Sequence, residues 1–238
     1  MPDECIGGSY VSGRSRVSLI IFTVSIYFLV SKYLDLEQAI LRDDNHCILT
    51  GSNIIEVAQI YPDYLYRKSI QRQEVDLWMI LKYFFPSTRV DTWKDVANTK
   101  YHTPANLFCL SPVARALWNT GAFALKPISR NNNNTTLIVQ FFWQVESLEP
   151  PTLCKRSLFA HPSSIQHLTG PPDSQLYHIN SPGQYIKSGD VFTLSTEDPE
   201  KMPLPSFELL ELQWCVHRIL AMAGPTYEEG EEEGEEEY

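Results

Sequence analysis

The sequence predicts an α+β domain, and three observations carry that expectation. Hydrophobic residues make up 43% of the 238 positions and aromatic residues 12%, enough for one sizeable mixed core. Sixteen prolines and eleven glycines divide the chain into many short elements, which does not suit a helical bundle. Segments with helical spacing alternate with short strand-like runs, and no internal repeat is visible. Three parts follow: an apolar N-terminal segment (1–35), a single folded domain (36–224) and an acidic tail (225–238).

The first part stands apart. Within "GRSRVSLIIFTVSIYFLVSKYL", two arginines precede an uncharged run from Val17 to Ser31. That is the layout of a signal anchor, but the run is shorter than the roughly 20 residues of a spanning helix and is rich in β-branched residues. A buried strand or helix, a stretch foreign to the domain, and a membrane anchor all remain open for it.

From Leu36 onward the pattern is regular. "LDLEQAILRDD" reads as a helix entering a charged turn. "CILTG" reads as a short strand closed by Thr50–Gly51, and "IEVAQI" as its return strand, making a hairpin over Cys47–Ile60. "QRQEVDLWMILKYFF" places Leu77, Leu81 and Phe84 at helical spacing, with Trp78 alongside. "TPANLFCL" reads as a loop leading to Ser111, an N-cap for "PVARALWN" with Pro112 at the first helical position and Gly121 as the stop. "FALKPI" and "TLIVQFFWQ" are strands joined by the loop "SRNNNN". Asn133 and Asn134 in that loop form glycosylation sequons, which matter only in the secretory pathway. Residues 146–185 lack periodicity and read as irregular connections. "GDVFTLST" alternates as a strand. "SFELLELQWCVHRILAMAG" is an amphipathic helix with Leu209, Leu212, Val216 and Ile219 on one packing face.

The formal charge of −10 owes most to the run "EEGEEEGEEEY", whose eight glutamates leave the remainder nearly neutral. Composition therefore announces no basic surface, and nucleic-acid binding would require a local patch. The tail has no apolar face and is expected to be disordered. Deleting residues 228–238 should leave the thermal midpoint of unfolding nearly unchanged, which a melting curve of the truncated chain would check. Five scattered cysteines (Cys5, Cys47, Cys109, Cys154 and Cys215) include no CxxC pair. They read as reduced, mostly buried thiols of an intracellular protein in the cytoplasm or nucleus, not as a zinc ribbon. No P-loop, GxSxG or dinucleotide fingerprint is present, so no small-molecule cofactor is expected.

Four stretches in fixed order bear on function: Cys47–Gly51 ("CILTG"), Ala58–Pro62 ("AQIYP"), Asn106–Ser111 ("NLFCLS") and Phe123–Pro127 ("FALKP"). Their order and spacing resemble the HNH endonuclease family, in the branch abundant in fungi. "PLPSFELLELQW" from Pro203 to Trp214 resembles that branch's closing helix, so the likeness runs from about Leu36 to Gly224. The resemblance implies a ββα-metal unit, made of a hairpin plus a helix, with additional strands and a C-terminal packing helix. It also implies a metal-dependent nucleic-acid endonuclease using one divalent cation, Mg or Zn. In the family a first histidine takes a proton from water, because imidazole titrates near neutral pH. An asparagine braces the loop, and a last histidine holds the cation against the scissile phosphate.

Here Gln59 stands at the first histidine position and Arg115 at the last, and only the asparagine, Asn106, is kept. A glutamine can orient water but is no base at neutral pH, and an arginine donates only and cannot ligate a metal. The resemblance thus implies an impaired nuclease or, alternatively, a non-catalytic nucleic-acid- or protein-binding module of the same descent. Arg115 reads either as a solvated helix residue or as a two-pronged phosphate clamp. Gln59 reads as a passive strand residue. The identity of any metal ligands is left open. Asp43, Asp44 and Asp63 are carboxylates near the hairpin that read first as surface turn residues. His46 reads as solvent-facing, and His102 precedes Asn106 closely enough to approach the site. His161, His167 and His178 have no ligand-like spacing, and His217 reads as packing or exposed on the last helix.

Overall fold

The computed structural model describes residues 33–70, 77–144, 175–181 and 183–223. The Val17–Ser31 run, the acidic tail, Cys5, Cys154, His161 and His167 lie outside these residues, as does most of the stretch assigned to irregular connections. Among the described residues no helix is long and apolar enough to cross a membrane.

The architecture is mixed α+β, with helices around two small antiparallel sheets. A first helix, α1, covers residues 33–42. It is followed by β1 (Glu56–Gln59), α2 (Asp63–Ile70), α3 (Leu77–Phe84) and α4 (Ser87–Lys100). A 3-10 turn over Pro104–Asn106 leads directly into β2 (Leu107–Leu110) and then α5 (Pro112–Asn119). The chain ends with β3 (Phe123–Arg130), β4 (Thr136–Trp143), β5 (Val191–Ser195) and α6 (Phe207–Ala223).

β4 is the central strand of the larger sheet, and its alternation places Leu137, Val139, Phe141 and Trp143 on the buried face. Pro127 sits in the edge strand β3 beside a register shift, where its missing N–H disturbs the ladder least. α6 packs on β3 and on α4. Three buried indoles in this core each have a partner for the ring N–H: Trp93 donates to Glu211 (2.8 Å), Trp118 to the Gln59 carbonyl (3.0 Å) and Trp143 to the Ile186 carbonyl (2.9 Å). A buried aromatic with a polar edge usually finds such a partner. α5 starts as its sequence predicts, with the Ser111 hydroxyl accepting from Ala114 N–H and Pro112 following. Gly121, at φ +73, takes the left-handed position after its last turn.

Two expectations fail locally. "CILTG" is a turn, not a strand. Gly51 N–H bonds to the Cys47 carbonyl (3.0 Å), Cys47 N–H to the Ser52 carbonyl (2.8 Å), and Gly51 holds φ +72. These bonds close the segment on itself, so there is no hairpin over Cys47–Ile60. The partner of β1 is instead β2, in "NLFCL", the stretch read as a loop: Glu56 lies opposite Leu110 and Gln59 opposite Leu107. All four β2 residues are buried, and such a run lacks the alternation that marks a half-exposed strand. α4 was not anticipated either. Its fully buried residues are only Val90, Trp93 and Ala97, with Val96 partly buried, set among polar residues.

A buried ion pair joins these pieces. Arg42, at the end of α1, pairs with Asp43 (Nε to Oδ1, 2.8 Å), with both side chains almost fully buried. Its Nη1 donates to the carbonyls of Pro104 (3.0 Å) and Pro203 (2.8 Å), and its Nη2 to that of Leu107 (2.8 Å). The other Asp43 oxygen accepts from Cys109 N–H (2.8 Å). Asp43 is therefore a structural carboxylate, not the surface turn residue expected from the sequence.

Candidate functional site

β1 carries Gln59 at its last position, and α5 carries Arg115 one turn in from Ser111. Both line a cleft of about 720 Å³. Its walls also include Asp35, Asp63, Tyr101 and His102, and Trp118, Gln213 and His217 from α5 and α6. Asn106 is not in the lining. It is fully buried behind it, where Oδ1 accepts from Tyr61 N–H (2.7 Å) and Nδ2 donates to the carbonyls of Tyr61 (3.1 Å) and Tyr101 (3.2 Å). These bonds fix the chain just after β1 against the turn before β2. Asn106→Ala removes these three buried bonds and should cost about 3 kcal/mol, read as a lower urea midpoint with an unchanged slope.

Gln59 is not passive. Its Oε1 accepts from Asp63 N–H (3.2 Å) in the first turn of α2, where backbone donors lack an intrahelical acceptor. Arg115 is neither fully solvated nor free. Its Nη1 pairs with Glu56 Oε2 at 2.7 Å across partly exposed surface, and its Nε is buried with no hydrogen-bond partner among the described residues. Asp63 pairs with Arg67 and accepts from the Tyr101 hydroxyl. Burial first, and the Asp63 carboxylate second, push the Tyr101 phenol well up. Burial likewise raises Asp35, an effect that His102 opposes.

His217 contributes a feature that sequence reasoning assigned no more than packing. It is 4% exposed, its Nδ1–H donates to the Phe123 carbonyl (2.8 Å), and Nε2 faces the Gln213 amide. Desolvation lowers its pKa to about 4, against a raising contribution from the Phe123 bond. The ring is thus neutral at pH 7. A depressed histidine favours the folded state fully above its unfolded pKa, near 6.5, and progressively less as pH falls toward 4. That loss amounts to roughly 3 kcal/mol at the lower end. Stability measured between pH 7 and pH 4.5 should therefore fall less steeply in His217→Gln than in the native chain. The remaining described histidines lie elsewhere: His46 is exposed and bonds to the Asp44 carbonyl, and His178 stands against Phe192.

Among the described residues no group of three or more His, Cys, Asp or Glu side chains is arranged to hold a metal ion. Three of the polar side chains at the cleft are unsuited to a divalent cation, and Asp35 and His102 also line it. Arg115 adds positive charge, Asp63 is engaged by Arg67 and Tyr101, and both His217 nitrogens face partners. Cys109 and Cys215 are pushed by burial to about 12 and are poor thiolate donors. The chain matches no protein-family model, and no curated protein or solved structure is significantly similar to it.

Proposed function

We propose that this protein is an HNH-nuclease-like domain that no longer cleaves and instead serves as a binding module, with nucleic acid as its first candidate partner. One observation carries the reading. An antiparallel strand pair followed at once by a helix, β1–β2–α5, presents Gln59 and Arg115 to one cleft, with Asn106 bracing the chain behind it. These are the positions that the resemblance gives to base, cation ligand and brace. Neither cleft residue has the chemistry of the histidine it stands for: an amide does not accept a proton near neutral pH, and a guanidinium does not ligate a metal. The Arg115–Glu56 pair supports the same view, since a guanidinium held at this position disfavours a divalent cation beside it.

The test combines supercoiled-plasmid nicking with oligonucleotide anisotropy. No nicking is expected with magnesium, manganese or zinc. Glu56→Gln releases Arg115 from its carboxylate and should tighten oligonucleotide binding several-fold at low salt, an effect lost at high salt. Binding that is indifferent to both Glu56→Gln and Arg115→Ala would move the partner from nucleic acid to protein.

A further inference from the structure

We infer that Lys126, Trp214 and Arg218 form a docking surface for the polyacidic segment Glu228–Tyr238 of the same chain. Lys126 projects from β3, and Trp214 and Arg218 lie one helical turn apart on α6. Lys126 Nζ is 5.9 Å and Arg218 Cζ 5.1 Å from the Trp214 ring centroid, and the Phe142 ring on β4 lies against the indole at 5.0 Å between centroids. All four side chains are partly exposed. Among the described residues neither cation has a carboxylate within ion-pair distance, whereas Lys82, Arg115, Arg130 and Lys201 each have one. Two cations without such a partner thus meet at one indole.

Two observations select the occupant. The first is charge: eight glutamates in the last eleven residues are the densest anionic stretch of the sequence. Carboxylates bond a guanidinium in two-pronged fashion and an ammonium as a point charge. The second is reach. α6, which carries Trp214 and Arg218, is described to Ala223, only five residues past Arg218, or about 7.5 Å along the axis. Glu228 is five residues further, a span of at most about 17 Å, so the glutamates can fold back to the patch. Because tail and patch share one chain, weak contacts act at a high effective concentration. Docking of this kind is electrostatic and adds little to the stability of the domain.

Carbodiimide coupling of the full-length protein at low salt tests this, because it joins a lysine amine to a carboxylate only where the two meet. The expected result, read by peptide mass spectrometry, is an intramolecular Lys126 link to the glutamates of 228–237. Its yield should be several-fold above that of Lys201, although the Lys201 side chain is 82% exposed. The yield should fall several-fold in 1 M salt and in Arg218→Gln, whose Lys126 is intact. A tail that links to Lys201 as readily as to Lys126 overturns the proposal. So does a Lys126 link to Glu146 or Glu149 instead, or one found only between chains. A single-stranded oligonucleotide that protects Lys126 equally in the full-length chain and in the chain lacking residues 228–238 would identify nucleic acid as the occupant and also overturn it.

Discussion

Arg42→Met should destabilise the domain by about 3–5 kcal/mol, the largest effect expected of any single substitution. Arg42 is 7% exposed, and its guanidinium serves the Asp43 carboxylate and the carbonyls of Pro104, Leu107 and Pro203. Removing it leaves a buried carboxylate without its counter-charge, which is far costlier than losing an exposed pair. Methionine fills similar volume, so the loss reports on polar partners and not on a cavity. Arg42→Lys should recover only part of it, because an ammonium cannot reproduce the planar fork that reaches three carbonyls. Chemical denaturation of the three proteins gives the comparison. A loss below 1 kcal/mol for Arg42→Met would mean that these carbonyls find other donors. The effect should be global, because the bonds join α1, the turn before β2 and the segment before α6.

That keystone was invisible in the sequence, where "RDD" resembles any charged turn. Its meaning depends on carbonyls 62, 65 and 161 residues away. Elements set by local chemistry were legible: the Ser111–Pro112 start of α5, the strands on either side of the asparagine turn, and the apolar face of α6; the helix α3 was legible too, but its buried residues are Trp78 and Leu81, and Phe84 is exposed. The partner of β1 was not. "CILTG" and "LFCL" are both short apolar runs, and only tertiary context decides which one pairs with Glu56–Gln59. The cleft was legible in part. The meeting of Gln59 and Arg115 followed from motif order, whereas the Gln213–His217 floor did not. The only local hint was the i,i+4 spacing of two polar residues within the buried stripe of α6, and the decisive contact is with a carbonyl 94 residues away.

The double substitution Gln59→His with Arg115→His should produce metal-dependent nicking where the native chain shows none. A positioned general base commonly contributes about 10²–10⁴-fold in rate. Gln59→His alone should do little, since Arg115 still repels a cation. Arg115→His alone should gain weak cation binding without a base. Base and cation act on the same water and phosphate, so the two changes should couple non-additively. The structure indicates that the variants remain folded enough to assay. Arg115→His gives up a partly exposed ion pair with Glu56, an interaction commonly worth about 0–1 kcal/mol. Gln59→His gives up the bond to Asp63 N–H, about 1 kcal/mol by analogy with helix caps. Asn106 keeps its bonds to Tyr61 and Tyr101 in every variant, so the brace is constant across the series. Robust metal-dependent nicking by the unmodified protein, abolished by Asn106→Ala, would overturn the non-cleaving assignment. In that event His102, which lines the same cleft beside Tyr101, would be the first side chain to test as the source of the missing imidazole.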